Sequence, residues 1–223
     1  MGIWTLLDGC IIMTAYYELT KGTYKPKNLT DGQIWEIFCK LFDRSSSVKT
    51  SSYKFALIYS LIENLKQNTG NTGKPNFNFE QIFTPFAKIY WELIIHRHLY
   101  QISGDVLSSI WQILDGFLLE YPAAKNMDFA ELSGKAKQEL LDKVIKKCSR
   151  NVLGALFGDT KELFYSFSKR DKIVELNPRF KQFLDKFSDS VLKLNFYQWS
   201  KFLSEKNPSR KIDINLFKPF FNE

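Results

Sequence analysis

Between Leu140 and Leu156 the apolar residues Leu140, Leu141, Val144, Ile145, Cys148, Val152 and Leu156 recur at the three-and-four spacing of one helix face. Lys143, Lys146, Lys147 and Arg150 lie opposite, at offsets that stack on the other face. The pattern predicts one helix anchored in a core and showing four cations outward. Gly158-Asp159 is expected to break it, and Leu163 to Phe167 then alternates as an aromatic strand.

The same periodicity places the other elements. Thr30-Asp31-Gly32-Gln33 reads as a capping box opening a helix to about Arg44, with Ile34, Ile37, Phe38 and Leu41 inward. After the serine turn Ser45 to Ser47, a helix from Ser51 to Lys66 is apolar nearly all round, which predicts a central position. Asn68 to Asn76 reads as loop, and Thr84-Pro85 as an N-cap with proline at the first helical position of a helix reaching His98. Asp105 is expected to cap the next helix, which ends before Pro122, and Ser133 to open the basic helix. Ser168 to Asp171 joins two extended runs as a hairpin. Asn177-Pro178 starts a helix, Asp189 or Ser190 a further one through Phe202, and Asn207 onward reads as loop.

The expected fold class is therefore mainly α, a multi-helix globular bundle with one small β-hairpin at about residues 163–176. The expected organisation is an extension over 1–29, a helical recognition domain over 30–206 with a possible sub-boundary near 123–133, and a tail over 207–223.

Composition narrows the class. With 44% apolar and 16% aromatic residues in 223, the chain has the means to bury a core. The 31 basic against 24 acidic residues leave a net charge of +7, which favours a polyanionic partner. Three cysteines, Cys10, Cys39 and Cys148, form no CxxC and no disulfide framework, as expected of a reducing compartment. The apolar run Ile3 to Met13 is interrupted by Asp8 and too short to span a bilayer. A cytoplasmic protein without membrane association is expected, and Met13 is an alternative start.

No pattern carries catalysis. His96 and His98, two apart, point about 200° from each other on a helix and cannot share a metal there. Cys39 and Cys148 fall on predicted apolar faces, where thiols are inert. Asp31, Glu36 and Asp43, or Asp159 and Glu162, would suit an acidic metal site, but carboxylates at caps and turns are ordinary. P-loop, GxGxxG and GxSxG motifs are absent, and no cofactor is expected.

Basic groups carry more. Lys143, Lys146, Lys147 and Arg150 suit phosphates, and Asn151 beside them suits a base edge. Arg44, Lys49 and Lys54 surround the serine turn and Tyr53 as a second phosphate-binding set. Both also read as solvated helix faces. Phe164, Tyr165 and Phe167 suit stacking on bases or closure of the core, the core being the better reading.

Four strings together resemble a known family. They are KTSSYKFALIYSLIENL (Lys49 to Leu65), FAKIYWEL (Phe86 to Leu93), RNVLGALFGDTKELFYSF (Arg150 to Phe167), and NPRFKQFLDKF with LNFYQWSKFL between Leu176 and Leu203. In this order they are similar to the region N-terminal to the nuclease module of a group of bacterial HNH endonucleases. In that family the chain continues into a ββα-metal unit with paired CxxC motifs, which these 223 residues do not contain, so no catalytic residue carries over. The resemblance implies a helical domain that recognises DNA or RNA, or receives an activating signal, in restriction or anti-phage defence; DNA is the expected partner ahead of RNA. Its implied partners are a C-terminal HNH module or a separate nuclease subunit. Two other readings stand beside it: a protein-interaction or effector-sensing domain, and a stand-alone metal-dependent nuclease.

Overall fold

The structure, a computed structural model, describes residues 19–42, 52–68, 75–102 and 107–221. Its elements in order are β1 (Lys21–Gly22), α1 (Asp31–Phe42), α2 (Tyr53–Gln67), β2 (Asn76–Asn78) and α3 (Phe79–Tyr90), the last running into a π-helical turn, Trp91–His96. Next come α4 (Ser109–Glu120), the 3-10 turns Pro122–Asn126 and Phe129–Glu131, α5 (Gly134–Cys148) and α6 (Val152–Asp159). The hairpin β3 (Tyr165–Ser168) and β4 (Ile173–Leu176), helix α7 (Pro178–Lys206) and a 3-10 helix, Ile214–Phe220, complete it. Mainly α is the fold class, as the periodicity predicts. No helix among the described residues is long and apolar enough to cross a membrane.

Helix α2 lies at the centre because both its faces are apolar: Phe55, Leu57, Ile58, Tyr59, Leu61 and Ile62 are all buried. It packs on α3 and α7. At its start Ser52 meets the Tyr90 hydroxyl at 2.8 Å and donates to Gln101 Oε1 at 2.8 Å, so a buried polar cluster is satisfied internally. The capping box expected at Thr30 is present: Thr30 Oγ1 accepts from the Gln33 amide, and Gln33 Oε1 from the Thr30 amide.

Several boundaries differ from expectation. Ser108, accepting from the Trp111 amide, caps α4, and Asp105, the expected cap, lies outside the described residues. Helix α3 starts at Phe79, not Pro85, because Asn78 and Gln81 form a reciprocal capping box, each side-chain oxygen 2.8 Å from the other's amide nitrogen. Pro85 therefore sits inside the helix and cannot donate to the Gln81 carbonyl. Asn64 Nδ2 of α2 fills the vacancy, donating to Gln81 O at 2.8 Å. Helix α7 is continuous over 29 residues, where a second start at Asp189 or Ser190 is expected from sequence. Its Ser188-Asp189-Ser190 stretch lies on the outer side, and Asp189 pairs with Lys66 of α2 at 2.5 Å. Beyond Asn207, Phe217 and Phe220 are buried, Phe217 stacking on Phe196 at 4.6 Å, so a stretch expected to be loop closes the core.

The π-helical turn has its own logic. Arg97 N bonds to Glu92 O at 3.0 Å, five residues back, so residues five apart align. Trp91 Nε1 and His96 Nε2 accordingly both reach the Met127 carbonyl, at 2.9 and 3.2 Å. This ties the 3-10 segment around residues 122–131 to the bundle.

The hairpin is the middle of a four-stranded antiparallel sheet, ordered β1-β3-β4-β2. Register aligns Gly22 with Phe167, Phe167 with Val174, and Val174 with Phe77 in one inward row. Glycine is required at the end of that row. A Cβ on Gly22 would lie 2.7 Å from Phe167 Cε1 and 2.8 Å from Phe157 Cζ, both on buried rings.

Gly22→Ala is thus expected to destabilise the chain by about 1–3 kcal/mol through overpacking, read as a lower denaturant midpoint at unchanged slope. A pH effect follows from Asp31, whose carboxyl is held below the ordinary aspartate range first by a hydrogen bond from Arg179 and then by its charge. Arg179 Nε also donates to Leu29 O at 2.6 Å, so the pair clamps α1 to the start of α7. The stabilisation is present above the unfolded-state pKa and lost as pH falls through the lower folded value. Asp31→Asn should be less stable than the parent at neutral pH, the difference vanishing in acid as urea melts at both pH values would show.

Candidate nucleic-acid interface

The basic stretch does not form one helix. Helix α5 ends at Cys148 because Ser149 turns its hydroxyl back onto Ile145 O at 2.5 Å, and Asn151 N bonds to Cys148 O at 3.3 Å. Residues 149–151 make a polar turn, and α6 starts afresh at Val152. Lys146 and Lys147 are exposed in the last turn of α5, where they also complement the negative end of the helix dipole. Arg150 stands outside the helix, on the turn. The four cations therefore do not share one helix face.

Lys143 is drawn off the set. Its Nζ lies 2.6 and 2.7 Å from the two carboxylate oxygens of Glu120 in α4. Asn151 is exposed beside Arg150, and its side chain makes no capping bond to α6.

Tertiary structure supplies other cations in its place. Lys169 at the hairpin tip donates through Nζ to Arg150 O at 2.6 Å, and through its amide to Thr20 O at 2.8 Å. Burial first, and then the charge of Arg150, push the Lys169 ammonium below its ordinary pKa. Two cations are thus held side by side. The tip reads Lys169-Arg170-Asp171-Lys172, and Asp171 bonds to Ser168 Oγ at 2.6 Å and to Arg170 Nε at 3.1 Å. These bonds, with the charges of Arg170 and Lys21, hold the Asp171 carboxyl below its usual range. Lys21, Lys169, Arg170 and Lys172 are the residues that sequence reading missed. The signal for Lys169, Arg170 and Lys172 was three cations in the four residues between two strands; Lys21 had no such signal.

The second predicted set behaves differently. Arg44 and Lys49 lie outside the described residues. Tyr53 is half-buried against Phe86 and Tyr90, its hydroxyl accepts from the Ile110 amide at 3.3 Å, and burial pushes its pKa up to about 12. Lys54 pairs with Asp159 of α6 at 2.6 Å, with only 21% and 19% of the two side chains exposed. Both residues serve packing between helices.

The other candidates take structural duties as well. Phe164, Tyr165 and Phe167 are buried; the Tyr165 hydroxyl donates to Leu153 O at 2.6 Å, and Phe164 stacks on Phe180 at 4.0 Å. His96 Nδ1 pairs with Glu92 at 2.8 Å, whereas His98 is exposed beyond the helix end at φ 52°. Cys148 is buried and its thiol pushed up to about 12, but Cys39, expected on an apolar face, is exposed. The inward positions of α1 are Ile34, Ile37, Phe38, Leu41 and Phe42, which leaves residue 39 on the outer side. Among the described residues no three His, Cys, Asp or Glu side chains converge to hold a metal ion. A polar cavity of about 760 Å³ is lined in part by Asn64, whose amide nitrogen already donates to two carbonyls, and by Asn78 and Gln81, whose side-chain oxygens accept the capping bonds above.

Compared with protein-family models, curated proteins and solved structures, the chain matches none. The class is therefore set by architecture alone: a mainly α domain with a small antiparallel sheet whose tip bears cations against a helix–helix turn.

The two lysine sets are separable by experiment. Lys54→Ala should cost about 2 kcal/mol, between the values for surface and fully buried ion pairs, and lower the melting temperature. The salt dependence of any polyanion binding should stay as in the parent chain.

Proposed function

We propose that the chain is a nucleic-acid-binding module that takes the phosphate backbone of DNA, in preference to RNA, on the turn between α5 and α6 and the adjoining hairpin tip. The observation that carries this reading is the convergence of Arg150 and Lys169, two cations from elements nineteen residues apart, beside the exposed Lys146 and Lys147. Together with Lys146 and Lys147 they give this corner an excess of positive charge, which attracts a polyanion. Resemblance to the region preceding the nuclease module in bacterial HNH endonucleases supports the biological setting. In that setting the chain is a recognition part in restriction or anti-phage defence, working with an HNH module or a nuclease subunit.

A second reading, a protein-interaction domain, draws on one observation. Leu119 is 81% exposed beside a cavity of about 260 Å³ that Trp111, Leu118 and Leu119 line, and Tyr100 stacks on Trp111 at 5.2 Å.

Fluorescence anisotropy with labelled duplex DNA across a salt series tests the first reading. Each phosphate contact contributes roughly 0.9 to the log–log slope, so Lys146→Gln/Lys147→Gln should flatten it by about 2. Lys143→Gln should change it little, because Glu120 already holds that charge. No binding of the parent chain at low salt would refute the reading.

A further inference from the structure

We infer that this interface reads the phosphates of a duplex and, among its described residues, offers no platform on which bases stack, a conclusion that rests on the nucleic-acid reading above. Sequence-tolerant single-strand binding depends on exposed aromatic faces set among cations. Among the described residues, the rings of the adjoining strand and helix are spent inside. Tyr165 and Phe167 of β3 and Phe157 of α6 are 0%, 2% and 3% exposed. Helix α5, the 149–151 turn and the hairpin tip contain no aromatic residue at all. Tyr24, two residues beyond β1, is half-buried, with its backbone amide bonded to Ser166 Oγ at 2.9 Å.

Rigidity points the same way. The Lys169–Arg150 carbonyl bond fastens the hairpin tip to the helix turn, and the Lys169 amide fastens it to Thr20. A preorganised set of cations suits a partner whose phosphates are already ordered. A single strand must lose its own freedom on binding, and without stacking nothing in the site compensates. Asn151, whose side chain makes no capping bond, is the exposed neutral amide beside Arg150, so base-edge contact is limited to this one turn. Elsewhere, Tyr197 on α7 is an exposed ring with Lys201 Nζ 4.3 Å from its centroid, and it serves as the internal control.

Anisotropy titrations at one low salt concentration should use the full chain, two duplexes of unrelated sequence, and an unstructured single strand of equal phosphate number. The duplexes should agree within about tenfold, the single strand should bind at least about tenfold more weakly, and Tyr24→Ala and Tyr197→Ala should leave duplex binding unchanged. Equal or tighter binding of the single strand overturns this inference while leaving nucleic-acid binding standing. Loss of binding in either tyrosine variant, with its melting temperature intact, overturns it equally. If neither polymer binds the parent chain, both this inference and the proposed function fail.

Discussion

Trp199 is the point at which the separate elements are made into one structure. Its buried ring meets Phe55 of α2 at 5.8 Å, Tyr90 of α3 at 5.8 Å, and Phe217 of the C-terminal 3-10 helix at 5.1 Å. Aromatic pairs of this kind contribute about 0.5–1.5 kcal/mol each beyond burial of their area. The core continues outward through Phe42, Phe38 and Phe183 to Phe187, without a break between the helices before and after the hairpin. Trp199 Nε1 makes no hydrogen bond among the described residues, a cost of about 1–3 kcal/mol that the surrounding ring contacts outweigh.

That expenditure of aromatic residues shapes the surface. Among the described residues nearly all of the phenylalanine rings lie inside. The charge on the surface is arranged by the ends of elements more than by their faces. Helix α5 stops because Ser149 and Asn151 compete for its backbone, and the interruption moves Arg150 off the helical row. The hairpin, aligned by its pairing with β1 and β2, then places Lys169 on the carbonyl of Arg150.

The departures from sequence expectation share a cause: long-range partners that local rules do not see. A proline reads as a helix start because its missing amide is harmless there. At Pro85 the missing donor is replaced from another helix, by Asn64, and the helix runs through it. Ser188-Asp189-Ser190 reads as a new cap in isolation, yet Lys66 engages Asp189 from across the bundle and α7 continues. The tail reads as loop because of its prolines, but Phe217 and Phe220 have a waiting aromatic surface on α7.

The amino-acid sequence by itself determined the helical class, the centrality of α2, the hairpin and the capping at Thr30, Ser133 and Asn177. Each of these rests on periodicity or on side-chain bonds within a few residues. The fate of the aromatic string at 163–167 was also legible, because rings alternating on a short strand bury more readily than they stand in water. Only the tertiary structure decided which cations are paired with carboxylates and which are brought together. Glu120 holds Lys143, Asp159 holds Lys54, and Lys169 arrives beside Arg150 from the hairpin. A charge's usefulness depends on which opposite or like charge the fold brings within a few ångströms, and that distance is not encoded in the spacing along the chain.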